Sequence, residues 1–303
     1  MPKICYRPKR FSHSSQALID QCNDIIAEYA EQGFVLTLRQ LYYQLVSRDI
    51  IENKTTEYSR VGSIVNQARL AGLIDWKAIE DRTRSLKALS HWAGPAQIVE
   101  TCSEQFDVDM WADQEFRPEV WIEKDALVGV IDEVCRFLDV PYFSCRGYTS
   151  QSEMWAGAMR LQYWVKEGRD GRGQTPVVFH LGDHDPSGKD MTRDIRDRLQ
   201  LFMGGIRLER LALNMDQIRK YGPPPNPAKT TDSRYKAYIV EFGESSWELD
   251  ALEPRVIAGL IRRAVTGLVD REKWRQKKVE RDRGRALLSR LAENWEEVTG
   301  MLE

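Results

Sequence analysis

The sequence predicts an α/β protein, with a mainly parallel sheet preceded by a helical amino-terminal unit. Three observations carry that expectation. From Glu119 onward, short β-branched and aromatic runs alternate with amphipathic stretches, which is how βαβ units read. Before residue 91 the apolar spacing is that of helices. Two acidic clusters 60 residues apart, at Glu123 and at Asp183-His184-Asp185, each follow an apolar run; the carboxyl ends of strands are where open α/β sheets bind ligands.

In chain order, Ser14 to Gln32 repeats at the helical period, with Ala17, Leu18, Cys22, Ile25, Ile26 and Tyr29 on one side, Ser14 or Ser15 as cap and Gly33 as stop. Thr37 precedes a second helix bearing Leu38, Leu41, Tyr42 and Leu45. Thr56 precedes a third, bearing Tyr58, Val61, Ile64, Val65, Ala68 and Leu70 and closed by Gly72. With Leu73-Ile74-Asp75-Trp76 as a β-rich return, residues 1–91 follow the winged-helix pattern, in which the second helix of the pair enters the major groove. The polar side of that helix carries Arg60, Asn66, Gln67 and Arg69, and the return adds Lys77, Arg82, Arg84 and Lys87. Such side chains suit phosphates and base edges; a solvated helix face has the same composition.

Residues 92–118 read as a linker or a domain-edge segment, on the strength of Gly94-Pro95, Pro118 and the acids Glu100, Glu104, Asp107, Asp109, Asp113 and Glu115. Residues 119–303 then form the sheet domain with a carboxyl-terminal extension. Strands are expected at Val120–Ile122, Tyr142–Ser144 and Val177–Leu181, with helices at Leu127–Leu138, Glu153–Glu167 and Lys189–Met203. Arg207–Leu213 reads as a further strand and Asn214 starts a short helix. Four prolines in Tyr221–Pro227 exclude regular helix or a central strand there. Glu248 and Asp250, beside Trp247, read more readily as a helix-start capping cluster than as accessory metal ligands. Arg271 to Arg285 holds eight basic residues around Trp274 and gives a locally positive helix, either solvated or holding a DNA backbone.

Composition sets limits. At 303 residues and 42% apolar, two domains with cores are affordable in size, and a formal charge of −2 supplies no global field for a polyanion, so any nucleic-acid surface must be local. Five scattered cysteines without Cys-x-x-Cys spacing read as free thiols. No apolar stretch is long enough to cross a bilayer and no signal-peptide core follows the amino terminus, so a cytoplasmic location without membrane association is expected.

Asp183 and Asp185, at i and i+2 in a turn, can point into one crevice with Glu123, where three carboxylates repel one another unless a hard cation such as Mg²⁺ holds them. That set resembles the Toprim domain of topoisomerases, primases and some nucleases, with Gly147 at an intermediate strand end. Upstream, Leu36 to Leu45 contains Arg39-Gln40-Leu41-Tyr42-Tyr43. It resembles the Arg-x-x-aromatic-Tyr string of type IIB topoisomerase A subunits and the related meiotic double-strand-break protein. Those proteins place a winged-helix domain before a Toprim domain headed by Glu-Lys, as at Glu123-Lys124, and continue their aspartate motif into Asp-Pro-x-Gly, as here. The resemblance spans residues 15 to 200.

It implies a Rossmann-like Toprim sheet behind a winged-helix domain, acting on double-stranded DNA. Tyr43, at the second aromatic position, would link to a 5′ phosphate, although Tyr42 remains the alternative. Arg39, one helical turn before Tyr43, would stabilise phosphorane or phenolate charge. Mg²⁺ would sit on Glu123, Asp183 and Asp185, while Arg60, Asn66, Arg69 and Lys124 would contact DNA. In those relatives the tyrosine of one subunit meets the metal of the other. A homodimer is therefore implied, with Tyr43 far from Glu123 inside one subunit.

The chain departs from the family in two ways. Only 35 residues precede Leu36, where full-length A subunits carry an extension that binds an ATPase partner, and no Gly-rich ATP loop occurs, so ATP-driven strand passage would need a separate ATPase subunit. His184 also stands where type IIB A subunits carry Gly. Three classes follow: a cleavage-rejoining enzyme using Tyr43, a metal-dependent nuclease in which water attacks, and a non-catalytic DNA-binding homologue.

Overall fold

The computed structural model describes residues 3–79, 89–166 and 173–300. Its centre is a four-stranded, wholly parallel sheet of β1 (Phe116–Ile122), β2 (Tyr142–Ser144), β3 (Thr175–Leu181) and β4 (Arg207–Ala212), in the order β2-β1-β3-β4. β1 and β3 are the inner strands and are buried almost throughout; β3 is near-continuously apolar, whereas β1 also carries Arg117 and Glu119, paired with Asp109 and Arg160. The expected α/β class is therefore present; β1 and β3 start a few residues earlier than their apolar runs indicated, while β2 and β4 start where they were expected.

Helices cover both faces. α5 (Val128–Phe137), entered through a 3₁₀ turn at Asp125–Leu127, and α10 (Pro254–Thr266) pack on one face around Val120, Ile122, Val177, Phe179 and the fully buried Trp111. α6 (Gln151–Lys166) and α7 (Pro186–Met203) cover the other around Trp121, Val178, Met154 and Leu199. Short elements follow β4: α8 (Met215–Tyr221), capped by Asn214, then the strand pair β5 (Asn226–Pro227) and β6 (Ser245–Ser246) around α9 (Tyr235–Phe242). The four-proline stretch thus ends in a two-residue edge pairing, compatible with its missing donors.

The amino-terminal helices α1 (His13–Glu31), α2 (Leu38–Ser47) and α3 (Thr55–Leu70) enclose a separate apolar cluster that includes Leu18, Ile25, Leu41, Leu45, Val61 and Ile74. Ser12 caps α1, in place of Ser14 or Ser15. Thr37 caps α2 in a reciprocal box with Gln40. α3 starts at Thr55 without a side-chain cap, and Gly33 and Gly72 take left-handed φ of 84° and 73° after α1 and α3. Among the described residues the return is limited to isolated bridges, Leu36 with Ile79 and Cys5 with Ala71. Arg82, Arg84 and Lys87 lie outside the described residues.

Residues 92–118 are not a plain linker. They hold α4 (Pro95–Gln105), with Pro95 at its first turn, and the first strand residues. α4 packs against α11 (Arg271–Glu293), which leads into α12 (Trp295–Gly300). The acids of this segment neutralise α11: Asp107 pairs with Arg281 and Arg285, and Asp113 with Lys277. All five cysteines are free. Among the described residues no helix is long and apolar enough to cross a membrane.

Candidate active site at the carboxyl edge of the sheet

Strand order reverses direction between β1 and β3, and the loops leaving those two strands carry Glu123 and Asp183. This is the topological switch point, where the two loops diverge and leave a crevice. Glu123 accepts a 2.8 Å hydrogen bond from the amide of Asp183, so the two loops are tied directly. Gly182 permits that tie: a Cβ there would stand 2.8 Å from Glu123 Oε2.

The Asp183 loop is fixed from two sides. Arg210, on β4, donates to the carbonyls of Gly182 (3.0 Å), Asp183 and Gly188 (2.9 Å) and to Thr192 Oγ1. Burial holds this guanidinium's proton affinity down, to about 10. On the opposite side, His184 and Trp247 exchange backbone hydrogen bonds of 2.8 and 2.9 Å, which zips the loop to the segment ahead of Glu248. Tyr238 donates to the His184 carbonyl and meets His184 Nδ1 at 2.8 Å. His184 is thus buried support for the loop, with its pKa pushed down to about 4 by burial.

That zipper brings Glu248 and Asp250 beside Asp183. Lys124 sits between the three, at 2.8 Å from Asp183 Oδ2, 2.8 Å from Glu248 and 3.1 Å from Asp250. Arg39, from α2, pairs with Glu248 and, at 2.8 Å, with Asp250. Asp183 also accepts from the Leu249 amide at 2.8 Å. Electrostatics follow this packing. Burial pushes the Asp183 carboxyl up to about 7 against the pull of Lys124. Burial likewise raises Glu123. Burial would raise Glu248 too, but Lys124 and Arg39 outweigh it and hold Glu248 down at about 2.

A cavity of about 660 Å³ opens over this arrangement, lined by Arg39, Tyr42, Tyr43, Tyr58, Asp183, Asp185 and Glu248 among others. Tyr43 therefore shares a cavity with two of the expected metal carboxylates within one chain, where the resemblance had put them in different subunits. The cause is the contact of α2 with the 3₁₀ turn Leu249–Ala251, which Arg39 clamps. Tyr43 is 5% exposed, and Arg39 lies 5.8 Å over its ring. Burial, then the charges of Glu248 and Asp250, raise its phenol well above the ordinary value, while Arg39 works in the other direction. Tyr42 spends its hydroxyl on Asn53 (3.0 Å) and the Lys54 carbonyl (3.2 Å), and stacks edge-on against Tyr43 and Tyr58.

The remaining expected residues are placed differently. Asp185 caps α7, accepting from the Gly188 amide at 2.6 Å and from Ser187. With Asp185 on a helix terminus and Asp183 on Lys124, no group of three or more His, Cys, Asp or Glu among the described residues is arranged to hold a metal ion. The donor set is still all oxygen, as Mg²⁺ requires. Lys124 faces carboxylates and not open solvent. Arg69 is turned inward: it lies 4.8 Å over Trp76 and donates to the Trp76 and Ile79 carbonyls, because an aromatic ring and two backbone carbonyls stand within its reach. Arg60 pairs with Glu57 on the exposed side of α3, and Asn66 is exposed. Glu248 and Asp250, read from sequence as a capping cluster, are ion-pair partners inside the site, and Arg210 carried no sequence signal at all.

Comparison of the chain with protein-family models, with curated proteins and with solved structures finds no match.

Proposed function

We propose that the protein is a Mg²⁺-dependent DNA-cleaving enzyme in which Tyr43 attacks a backbone phosphate of double-stranded DNA and retains the 5′ end as a tyrosyl phosphodiester, as in topoisomerase VI A subunits. In this reading the parallel sheet is a Toprim domain and α1–α3 belong to a winged-helix domain. The observation that carries it is the single cavity lined by Tyr43, Arg39, Asp183 and Asp185. Glu123, Asp183 and Asp185 are the oxygen donors that would hold the ion, with Asp183 giving up Lys124 and Asp185 its cap on α7; the ion would supply Lewis acidity at a phosphate oxygen.

The chain's own residues do the rest. As the phenol oxygen attacks phosphorus and the 3′ oxygen leaves, the phenol proton passes through water to the leaving 3′ oxygen; Glu248, held ionised by Lys124 and Arg39, positions Arg39 beside the phenol. Arg39 stabilises the charge that develops on phosphate and phenol. Cutting both strands takes two copies of the chain, and strand passage takes a separate ATPase subunit.

A second reading is favoured by one observation: Tyr43 is buried and its phenol is raised, which suits a nuclease in which water attacks. One experiment separates them. Supercoiled plasmid is incubated with protein and Mg²⁺, stopped with detergent and extracted with phenol. The proposal expects DNA ends in the phenol phase that return to water after protease treatment. Cut DNA that stays in the aqueous phase establishes the nuclease; uncut DNA rejects both.

A further inference from the structure

A second cavity, of about 750 Å³, lies away from the acidic site and is lined by Arg136, Arg263, Arg271, Trp274, Lys278 and Arg281 among others, with no Asp or Glu in its wall. Its place in the fold is set by topology. β1 and β2 are parallel, so α5 between them runs back toward the strands' amino ends, and Arg136 is in its last turn. The cavity therefore sits at the opposite edge of the sheet from Glu123 and Asp183.

Part of this charge has a local explanation. Arg136 and Arg263 end α5 and α10, where cations complement the helix dipole, and Arg136 pairs with Asp132. Arg281 has Asp107 and Asp282 as neighbours. The others have no such reason. Arg271 is the first residue of α11, where the dipole opposes a cation, and Arg263, Arg271 and Lys278 have no carboxylate partner among the described residues. Arg271, Trp274, Lys278 and Arg281 follow i, i+3, i+7, i+10 and share one face of α11. That face joins three cations to an indole held edge-on at 5.5 Å from Trp111.

We infer that this cavity is a binding site for a nucleotide unit, with its phosphates on Arg263, Arg271 and Lys278 and its base against Trp274. The volume falls in the range of small-ligand sites, roughly 300–1,000 Å³, and guanidinium with ammonium groups beside a half-buried aromatic that lines the same cavity is the chemistry that recognises phosphate and base together. The nucleotide is either free or part of a strand, and the test separates these sources.

Fluorescence anisotropy of the full chain is measured with a ribose-labelled ATP analogue and with an end-labelled single-stranded oligonucleotide. Each is measured against wild type, Arg271→Gln/Lys278→Gln and Arg271→Gln alone. Both side chains are exposed, and a thermal melt reports whether each variant folds. The double variant is expected to bind at least roughly tenfold more weakly, as loss of charge-assisted hydrogen bonds implies. Binding of the analogue that weakens this way assigns a free nucleotide; binding of the oligonucleotide alone, weakened the same way, assigns a strand. No binding of either probe, or equal affinity in wild type and folded variants, overturns the inference.

Discussion

The two edges of the sheet carry opposite charge and treat it in opposite ways. At the carboxyl edge every acid of the site is engaged: Asp183, Glu248 and Asp250 converge on Lys124, Arg39 clamps the last two, and Asp185 caps α7. At the amino edge Arg263, Arg271 and Lys278 line a cavity whose wall holds no acid. The difference teaches that a formal charge of −2 conceals a segregated molecule. One edge is buried, neutralised and tied into the core, so its residues are hard to change; the other is exposed, so its residues are cheap to change and informative about binding.

The largest break in this comparison is expected at Lys124. Lys124→Met leaves three largely buried carboxylates with Arg39 as their remaining cation, a loss on the order of 3–5 kcal/mol. Urea unfolding of the variant measures it, and a midpoint equal to wild type would show that the carboxylates are solvated.

His180 tests the same burial through pH. Its imidazole is fully buried on β3, 2.9 Å from Thr192 Oγ1, and burial pushes its pKa from 6.5 down to about 3. The unfolded chain binds the proton below pH 6.5 and the folded chain does not until about pH 3, so His180 removes stability as pH falls through that window. His180→Gln should lose less stability than wild type between pH 6.5 and pH 4, by about 3 kcal/mol. Parallel stability curves for the two proteins would contradict it.

Gly182→Ala sharpens the acidic edge further. The added methyl pushes on Glu123 and strains its bond to the Asp183 amide, at a cost of about 1–2 kcal/mol, with DNA cleavage falling by a larger factor than stability explains. Retention of full cleavage would separate Glu123 from the chemistry.

The smallest effects distinguish two arginines of α3. Arg69→Ala should cost about 1 kcal/mol through lost carbonyl and Trp76 contacts while leaving the salt dependence of DNA binding intact. Arg60→Ala should stay within about 0.5 kcal/mol in stability, and a shallower salt slope in that variant would mark Arg60 as a phosphate contact.

These contrasts also show what sequence could carry. β3 and the last three residues of β1 were legible because buried parallel strands need continuous apolar runs, and Thr37 announced α2 because a capping box is local. α4 was hidden by the acidic bias of its segment, of which Asp107, just after the helix, finds Arg281 on α11 about 170 residues later. In the site, Glu123 and Asp183 stood out as strand ends. Glu248 did not, because its meaning depends on Arg39, 209 residues away, and on a bridge between His184 and Trp247 that no local pattern encodes. Arg69 lies inward for a related reason: whether a helical arginine faces solvent or folds back depends on Trp76 and on the Trp76 and Ile79 carbonyls within its reach.

The central claim is that Tyr43, in the cavity it shares with Asp183 and Asp185, is the group that captures DNA. The most direct measurement compares protease-sensitive covalent DNA capture by wild type, Tyr43→Phe and Tyr42→Phe at equal folded concentration with Mg²⁺. Tyr43→Phe keeps the ring against Arg39 and removes only the hydroxyl, so capture is expected to vanish, while Tyr42→Phe, which loses hydrogen bonds to Asn53 and Lys54, retains it at a reduced level. Covalent capture by Tyr43→Phe at the wild-type level would contradict the account.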